Sequence, residues 1–214
     1  QHNYIEALRD LLGEAVAATV LLGASLKNQP KISIQLQSEG ALRLLVVQCS
    51  EDLHVRAMAQ QDPDRTTEAL LTEGRLSVHI DTGRENGYFQ GIVPLVGSRI
   101  SECLESYFLQ SEQVPTRLIL FSDEQRACGL VLQMLPGTES QEDFNTVCAL
   151  AETISHQELA TSKSTDLLRR LFTEFNVRLF APREVAHDCR CTPAHLANIT
   201  RMLGQDELES ILSE

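Results

Sequence analysis

Two cysteines separated by one residue, Cys189 and Cys191, are the side chains of this sequence best suited to chemistry. Thiolates at this spacing can supply two ligands of a tetrahedral zinc site, or the two thiols can be oxidised to a disulfide. Their neighbours His187, Asp188 and Arg190 are polar, which predicts an exposed loop where cysteine would not serve as an apolar filler. We therefore interpret the pair as metal ligands or as a redox couple.

Two histidines near the pair leave a second kind of zinc site open. His187 and His195 could complete a local Cys2His2 zinc site, although nothing in the sequence ties them to the pair.

The other four cysteines fall where helix or strand patterns require an apolar residue, which predicts core positions for Cys49, Cys103, Cys128 and Cys148. The common phosphate-binding, metalloprotease and hydrolase signatures are absent from the sequence, so no motif supports an enzyme.

The elements that must position the pair begin with a helix over residues 4–27, where apolar and small side chains recur at helical spacing. Alternating patterns predict strands over residues 32–36, 42–47, 53–59, 76–80, 88–96, 116–121 and 128–135. A short helix is predicted over residues 67–71, and another follows Ser98 as its cap. Short turns without regular strand–helix–strand alternation predict an α+β fold, with an antiparallel sheet core and packed helices.

The pattern becomes helical after Pro136 and Gly137. Helices are predicted over residues 144–154 and 166–175, with an extended piece over residues 177–180 and another helix after Thr192. This division predicts an α+β core domain over residues 1–137 and a helical linker over residues 138–185. Residues 186–214 would then form a further segment that carries the cysteine pair.

Composition limits the class of protein and its partners. The 214 residues are 43% apolar and 22% charged, which is typical of a folded chain, and no apolar run is long enough to span a bilayer. The formal net charge of −12 would repel phosphate backbones and anionic lipid. We therefore expect neither nucleic acid nor a membrane as a partner.

Several stretches of the sequence resemble the 33 kDa heat-shock chaperone family. The most specific are QGIVPL at residues 90–95, ECLESYF at 102–108 and QSEQVPTRL at 110–118. DLLGE at residues 10–14, IQLQ at 34–37 and LRRLF at 168–172 occur in the same order as in that family. The resemblance therefore covers essentially the whole chain.

The resemblance implies a cytoplasmic, ATP-independent holdase chaperone regulated by redox state, and not an enzyme. In that family a C-x-C pair and a later C-x-x-C pair hold one zinc ion. Cys189 and Cys191 match the first pair, and the second pair is expected beyond Glu214. Because two thiolates cannot fill a tetrahedral shell, zinc bound by this part alone is expected to be weak or absent.

Activation, by the same resemblance, would follow disulfide formation and zinc release, which destabilise the adjoining linker. The linker would then offer its apolar face to unfolded client proteins, and the protein would be a homodimer. The candidate client-binding residues on that face are Phe144, Val147, Leu167, Leu168, Leu171, Phe172 and Phe175. In the resting state the same face would pack on the core domain.

Two other functions remain open from the residues alone. A thiol–disulfide oxidoreductase would use Cys189 and Cys191, and would require a nucleophile with a lowered pKa. A zinc-containing interaction module would regulate a protein partner without holding clients.

Overall fold

The computed structural model describes residues 4–28, 30–65, 69–84, 87–135, 137, 140–187, 197 and 200–201. Helix α1 (Glu6–Ser25) precedes five strands, β1 (Lys31–Ser38), β2 (Leu42–Cys49), β3 (His54–Gln61), β4 (Gly74–Asp81) and β5 (Tyr88–Pro94). Helix α2 (Ile100–Tyr107) continues into a π-helical turn (Phe108–Glu112), which leads to the hairpin of β6 (Thr116–Ser122) and β7 (Ala127–Gln133). Helices α3 (Gln141–Ala151), α4 (His156–Thr161) and α5 (Ser164–Leu171) follow, and then the short strand β8 (Ala186–His187).

Strands β1 to β5 and β8 form one sheet in the order β5-β4-β1-β2-β3-β8, whereas β6 and β7 pair separately. All pairings within the described ranges are antiparallel except that of β3 with β8. On the central strand, Ile32, Ile34 and Leu36 alternate with polar residues and are fully or almost fully buried. The predicted α+β class with an antiparallel sheet core is therefore confirmed.

Helix α1 lies between the six-stranded sheet and the β6–β7 hairpin, and it contacts both. This position explains its small side chains, because a helix covered on two sides needs close approach on both. A Cβ atom at Gly13 would lie 1.8 Å from Ser122 Oγ, and one at Gly23 would lie 3.0 Å from Ile32 Cγ2. The glycines thus allow the hairpin and the sheet to pack against the helix backbone.

Strand β5 forms an edge of the sheet, as Gly91 and Pro94 predict. Gly91 faces the buried Tyr107 ring, whose hydroxyl donates a hydrogen bond of 2.8 Å to Glu112 Oε1. The predicted Ser98 cap of α2 is wrong, because Arg99 is the N-cap residue. Glu102 instead accepts hydrogen bonds from the backbone N–H groups of Ser98 and Arg99, which satisfies donors at the start of the helix.

The helix predicted over residues 67–71 is not present in its described part, residues 69–71. The carbonyl groups of Ala69 and Leu70 accept hydrogen bonds from the N–H groups of Ala41 and Leu42, so they bond to a distant segment and not within a helix. Residues 66–68 lie outside the described ranges. Gly74, predicted to end the helix, is the first residue of β4.

The linker contains helices at shifted positions and one more helix than the sequence pattern predicts. Helix α3 begins three residues earlier than predicted, because Ser140 Oγ accepts a hydrogen bond from the Asp143 N–H and caps it. Helix α4 was not predicted, although Ser155 and Glu158 form a capping box at its start. That S-x-x-E spacing is the sequence signal that would have located it.

Candidate functional site

The two sides of the β6–β7 hairpin pack against different hydrophobic clusters. Leu118 and Leu120 of β6 point toward α1 and belong to the main core. Ile119 of β6, with Leu130 and Leu132 of β7, points the other way and packs against the linker helices. We call the buried residues of this outer layer the linker cluster, and they are Ala151, Ile154, Leu167, Leu171 and Phe172.

Most of the predicted client-binding side chains belong to this layer and are covered. Leu167, Leu171 and Phe172 are 6%, 8% and 7% exposed. Val147 and Leu168 are half-buried and pack against the linker cluster. In this conformation, therefore, the apolar face of the linker is buried on the hairpin and is not free to bind another chain.

The other two predicted client-binding residues lie at the margins of the linker cluster. Phe144 is half-buried and lines a groove between α3 and α2. Phe175 is 36% exposed, and its ring meets Phe172 edge-on with centroids 6.4 Å apart. The structure thus brings five of the seven predicted residues into or against one cluster and leaves two beside it.

Polar and aromatic contacts also attach the linker helices to the hairpin. The ring of His156, the first residue of α4, stacks on Phe121 of β6 with centroids 4.7 Å apart. Arg126, in the hairpin turn, donates a hydrogen bond to the carbonyl group of Ala160 at the other end of α4. Arg117 of β6 forms ion pairs with Glu105 of α2 and Glu152 at the end of α3.

Helices α4 and α5 are joined by an ion pair between Glu158 and Arg170. Hydrogen bonds from Arg170 and from Ser155 lower the pKa of the Glu158 carboxyl to about 2. The capping carboxylate is therefore ionised at neutral pH and links the start of α4 to the last turn of α5.

The extended piece predicted over residues 177–180 lies in an exposed apolar segment between α5 and β8. Residues 173–187 are all exposed, and among them are Val177, Leu179, Phe180 and Val185. The alternation of Val177 and Leu179 with Asn176 and Arg178 is typical of an extended, strand-like segment. At its end, β8 pairs with only two residues of β3, His54 and Val55.

The four cysteines in the described part of the chain are free thiols in apolar surroundings. Cys49, Cys103 and Cys148 are buried and Cys128 is half-buried, which confirms their predicted role as apolar residues. Burial raises the pKa of each of these thiols. They are therefore poor nucleophiles in this conformation.

The predicted redox and zinc residues, Cys189 and Cys191, lie outside the described residues, as does His195. His187 is exposed in β8, so the cysteine pair follows directly after the last pairing with β3. Within the described ranges no group of three or more His, Cys, Asp or Glu side chains is placed to hold a metal ion. The same ranges contain no helix with the length and apolar content that a membrane span requires.

The fold of this protein is similar to that of a solved chaperone structure. It matches the crystal structure of the 33 kDa chaperonin (heat shock protein 33 homolog) from Thermotoga maritima with a TM-score of 0.77. The match covers 94% of this chain and 74% of that chain at 24% sequence identity. This protein therefore has the α+β fold of that chaperone.

The sequence then identifies the family. The family model described as Hsp33 protein matches residues 1–214. The 33 kDa chaperonin of Nitrosococcus oceani is 41% identical over 217 residues, and that of Sodalis glossinidius is 38% identical over 223 residues. Each match covers the whole of this chain and about three quarters of the relative, at 75% and 76%. The chain belongs to the Hsp33 family, a family of chaperones and not of enzymes.

Proposed function

We propose that this protein is a redox-regulated, ATP-independent holdase that binds unfolding proteins under oxidative stress. The observation that carries the proposal is the burial of the linker cluster on the outer face of the β6–β7 hairpin. An apolar layer that is covered at rest and can be uncovered without disrupting the main core is what a switchable holdase requires.

The apolar contacts of the linker are strong enough to keep it closed but weak enough to be reversed. Burying a leucine or phenylalanine side chain contributes about 1.5–3 kcal/mol. Leu167, Leu171 and Phe172 are the large side chains buried in the linker cluster. Their combined burial is opposed by the conformational entropy that the linker regains on opening. The net cost of opening is therefore far smaller than the cost of unfolding the core.

Cys189 and Cys191 are the residues that would hold zinc, as two of four thiolate ligands. The donor set fits, because cysteine thiolate is a preferred zinc ligand and the described thiols are buried elsewhere. When bound, zinc supplies the folding free energy of the small module. A peroxide would oxidise the two thiolates to a disulfide and would itself be reduced to water. The neutral disulfide sulfurs are poor zinc ligands, so the module would lose the metal and be destabilised.

Strand β8 offers a physical route from the cysteine pair to the linker. It is held by two residue pairs with β3 and by the hydrogen bond from the Ala186 N–H to the Leu53 carbonyl group, at 3.3 Å. Upstream, Arg183 donates a hydrogen bond of 3.0 Å to the carbonyl group of Glu51. Loss of order after His187 would release these few contacts and free the segment that leads back to Phe172.

We also propose domain bounds, client-binding residues, an oligomeric state and a cellular compartment for this protein. We place the core domain at residues 1–137, the client-binding linker at residues 138–185 and the redox module from residue 186. Phe144, Val147, Leu167, Leu168, Leu171, Phe172 and Phe175 would contact clients after release. The protein would act in the cytoplasm as a homodimer.

The test is light scattering of a thermally unfolding client protein in the presence of the full-length chain. One sample is reduced and loaded with zinc, and the other is oxidised with peroxide. Suppression of client aggregation by the oxidised sample alone is expected. Equal failure of both samples would refute the redox-switched holdase, and turnover of a model disulfide would indicate an oxidoreductase instead.

A further inference from the structure

We propose that Arg117 is a positioning residue that clasps the first linker helix, α3, to the core. The clasp consists of Arg117, Glu105 and Glu152, and its loss would open α3 in the reduced protein without any oxidation of thiols. This inference rests on the proposed function only in assigning a consequence for client binding.

The clasp joins three elements through one guanidinium group. Arg117 Nη1 lies 3.1 Å from Glu105 Oε2 on α2, and Arg117 Nε lies 3.3 Å from Glu152 Oε1 at the C-cap of α3. The second oxygen of Glu105 accepts a hydrogen bond of 2.8 Å from the Leu118 N–H. Glu105 is therefore fixed to strand β6 on both of its oxygens, whereas Glu152 contacts Arg117 through one oxygen.

Helix α3 has a limited apolar anchor, so a polar contact can affect its position measurably. Its buried residues are Cys148 and Ala151, whereas most of the remaining positions on the helix are exposed. A groove separates the helix from α2 and is lined by Leu109, Pro115 and Phe144. Arg117 lines this groove together with Glu105 and Glu152.

The charges around Arg117 make its role specific. Glu102, Glu105 and Glu152 all line the groove, and the carboxylates of Glu105 and Glu152 both pair with the Arg117 guanidinium group. Burial raises the pKa of Glu105. The hydrogen bond from the Leu118 N–H and the charge of Arg117 lower this pKa, whereas the negative charges of Glu152 and Glu102 raise it further. With Arg117 present, α2 and α3 are linked through a shared cation. Without it, their carboxylates repel each other across the groove.

This arrangement predicts an unequal effect of removing the two partners. Loss of Glu152 removes one partly exposed ion pair, because the Arg117 and Glu152 side chains are 43% and 53% exposed. Such a pair contributes roughly 0.2–1 kcal/mol, so Glu152→Gln should raise the opening of α3 about threefold. Arg117→Gln also leaves the Glu105 and Glu152 carboxylates unopposed, and its effect should be larger, about tenfold.

Cys148 provides a reporter of α3 opening that the protein already contains. This thiol lies on α3 close to Arg117 and is 7% exposed, so alkylation requires the helix to move. Cys103 on α2 is fully buried and reports global unfolding instead. Arg117 lowers the pKa of the Cys148 thiol, so its removal by itself would slow alkylation. A faster reaction in Arg117→Gln would run against this change in thiol pKa. Glu152→Gln leaves the Arg117 side chain beside the thiol, so this variant separates opening of the helix from direct uncovering of Cys148.

The experiment is pulsed alkylation of the reduced full-length protein, with each cysteine followed by peptide mass spectrometry. The variants are Glu152→Gln, Arg117→Gln and the double substitution. Glu142→Gln, in the exposed first turn of α3, is the matched control. We expect Cys148 to react about threefold faster in Glu152→Gln and about tenfold faster in Arg117→Gln, with Cys103 unchanged. The double variant should react more slowly than Arg117→Gln alone, because it removes a repelling carboxylate.

Unchanged Cys148 reactivity in both single variants would overturn the clasp, as would a parallel rise at Cys103 or equal effects in the Glu142→Gln control. A double variant whose effects simply add would also overturn it, because the argument requires the two charges to interact. Opening of α3 without suppression of client aggregation would support the clasp and count against Phe144 and Val147 of α3 as client-binding residues. The two proposals therefore fail separately.

Discussion

Leu171→Ala should release the linker from the hairpin while leaving the core folded. Leu171 is 8% exposed and packs in the linker cluster on the outer face of β6–β7. A buried leucine-to-alanine change costs about 2–5 kcal/mol, and the lower part of that range, 2–3 kcal/mol, applies to this thin layer, which can partly collapse. At tenfold per 1.4 kcal/mol, the open population of the linker should rise about 30- to 140-fold.

Amide hydrogen exchange followed by mass spectrometry measures this change in the reduced, zinc-loaded protein. Peptides from α4, α5 and β7 should lose protection by that factor, whereas peptides from β1 and β2 should exchange as in the unmodified chain. Leu109→Ala is the matched control, because Leu109 is 63% exposed. Equal loss of protection in the linker and the central strands would refute the idea that the linker opens as a separate unit.

Three further predictions concern other features of the molecule. Because the pKa of Glu158 is about 2, below its usual value of 4.5, its contribution is complete above pH 4.5 and is lost as the pH falls toward 2. Protection factors of α4 amides should fall over that range, and Glu158→Gln should show a weaker pH dependence. Gly91→Ala places a Cβ atom 2.4 Å from the buried Tyr107 ring, and should lower the free energy of unfolding by about 1–3 kcal/mol in urea titrations. Ile92→Ala, at an exposed neighbour, should not do so. Replacing Cys189 and Cys191 by serine removes both the zinc ligands and the redox couple, so reduced and peroxide-treated samples should behave alike in the light-scattering assay, whereas Cys128→Ser should keep the difference between them.

Elements whose own residues determine their form were predictable from the sequence. The alternation of Ile32, Ile34 and Leu36 locates β1, since one face of a strand needs every second side chain to be apolar. The helical spacing of apolar residues likewise locates α1. The helix expected over residues 67–71 is absent from the described residues 69–71, because Ala69 and Leu70 bond to a distant segment. Local propensity cannot anticipate a competing backbone partner.

The candidate site was predictable only in part, for a similar reason. The apolar periodicity of the linker identified Leu167, Leu171 and Phe172, which are buried together. An extended piece over residues 177–180 was predicted but its exposure was not, because exposure depends on the path between α5 and β8. The zinc and redox roles of Cys189 and Cys191 stay predictions, since those residues lie outside the described part of the chain.

The family, the order of the main elements and the position of the cysteine pair could be read from residue identity and local spacing. Tertiary structure alone decided that the linker covers the outer face of the β6–β7 hairpin, while α1 covers its inner face. It also decided that Glu105, Arg117 and Glu152 meet. Periodicity reveals that a face will be buried, but its partner is set by how distant elements fit together.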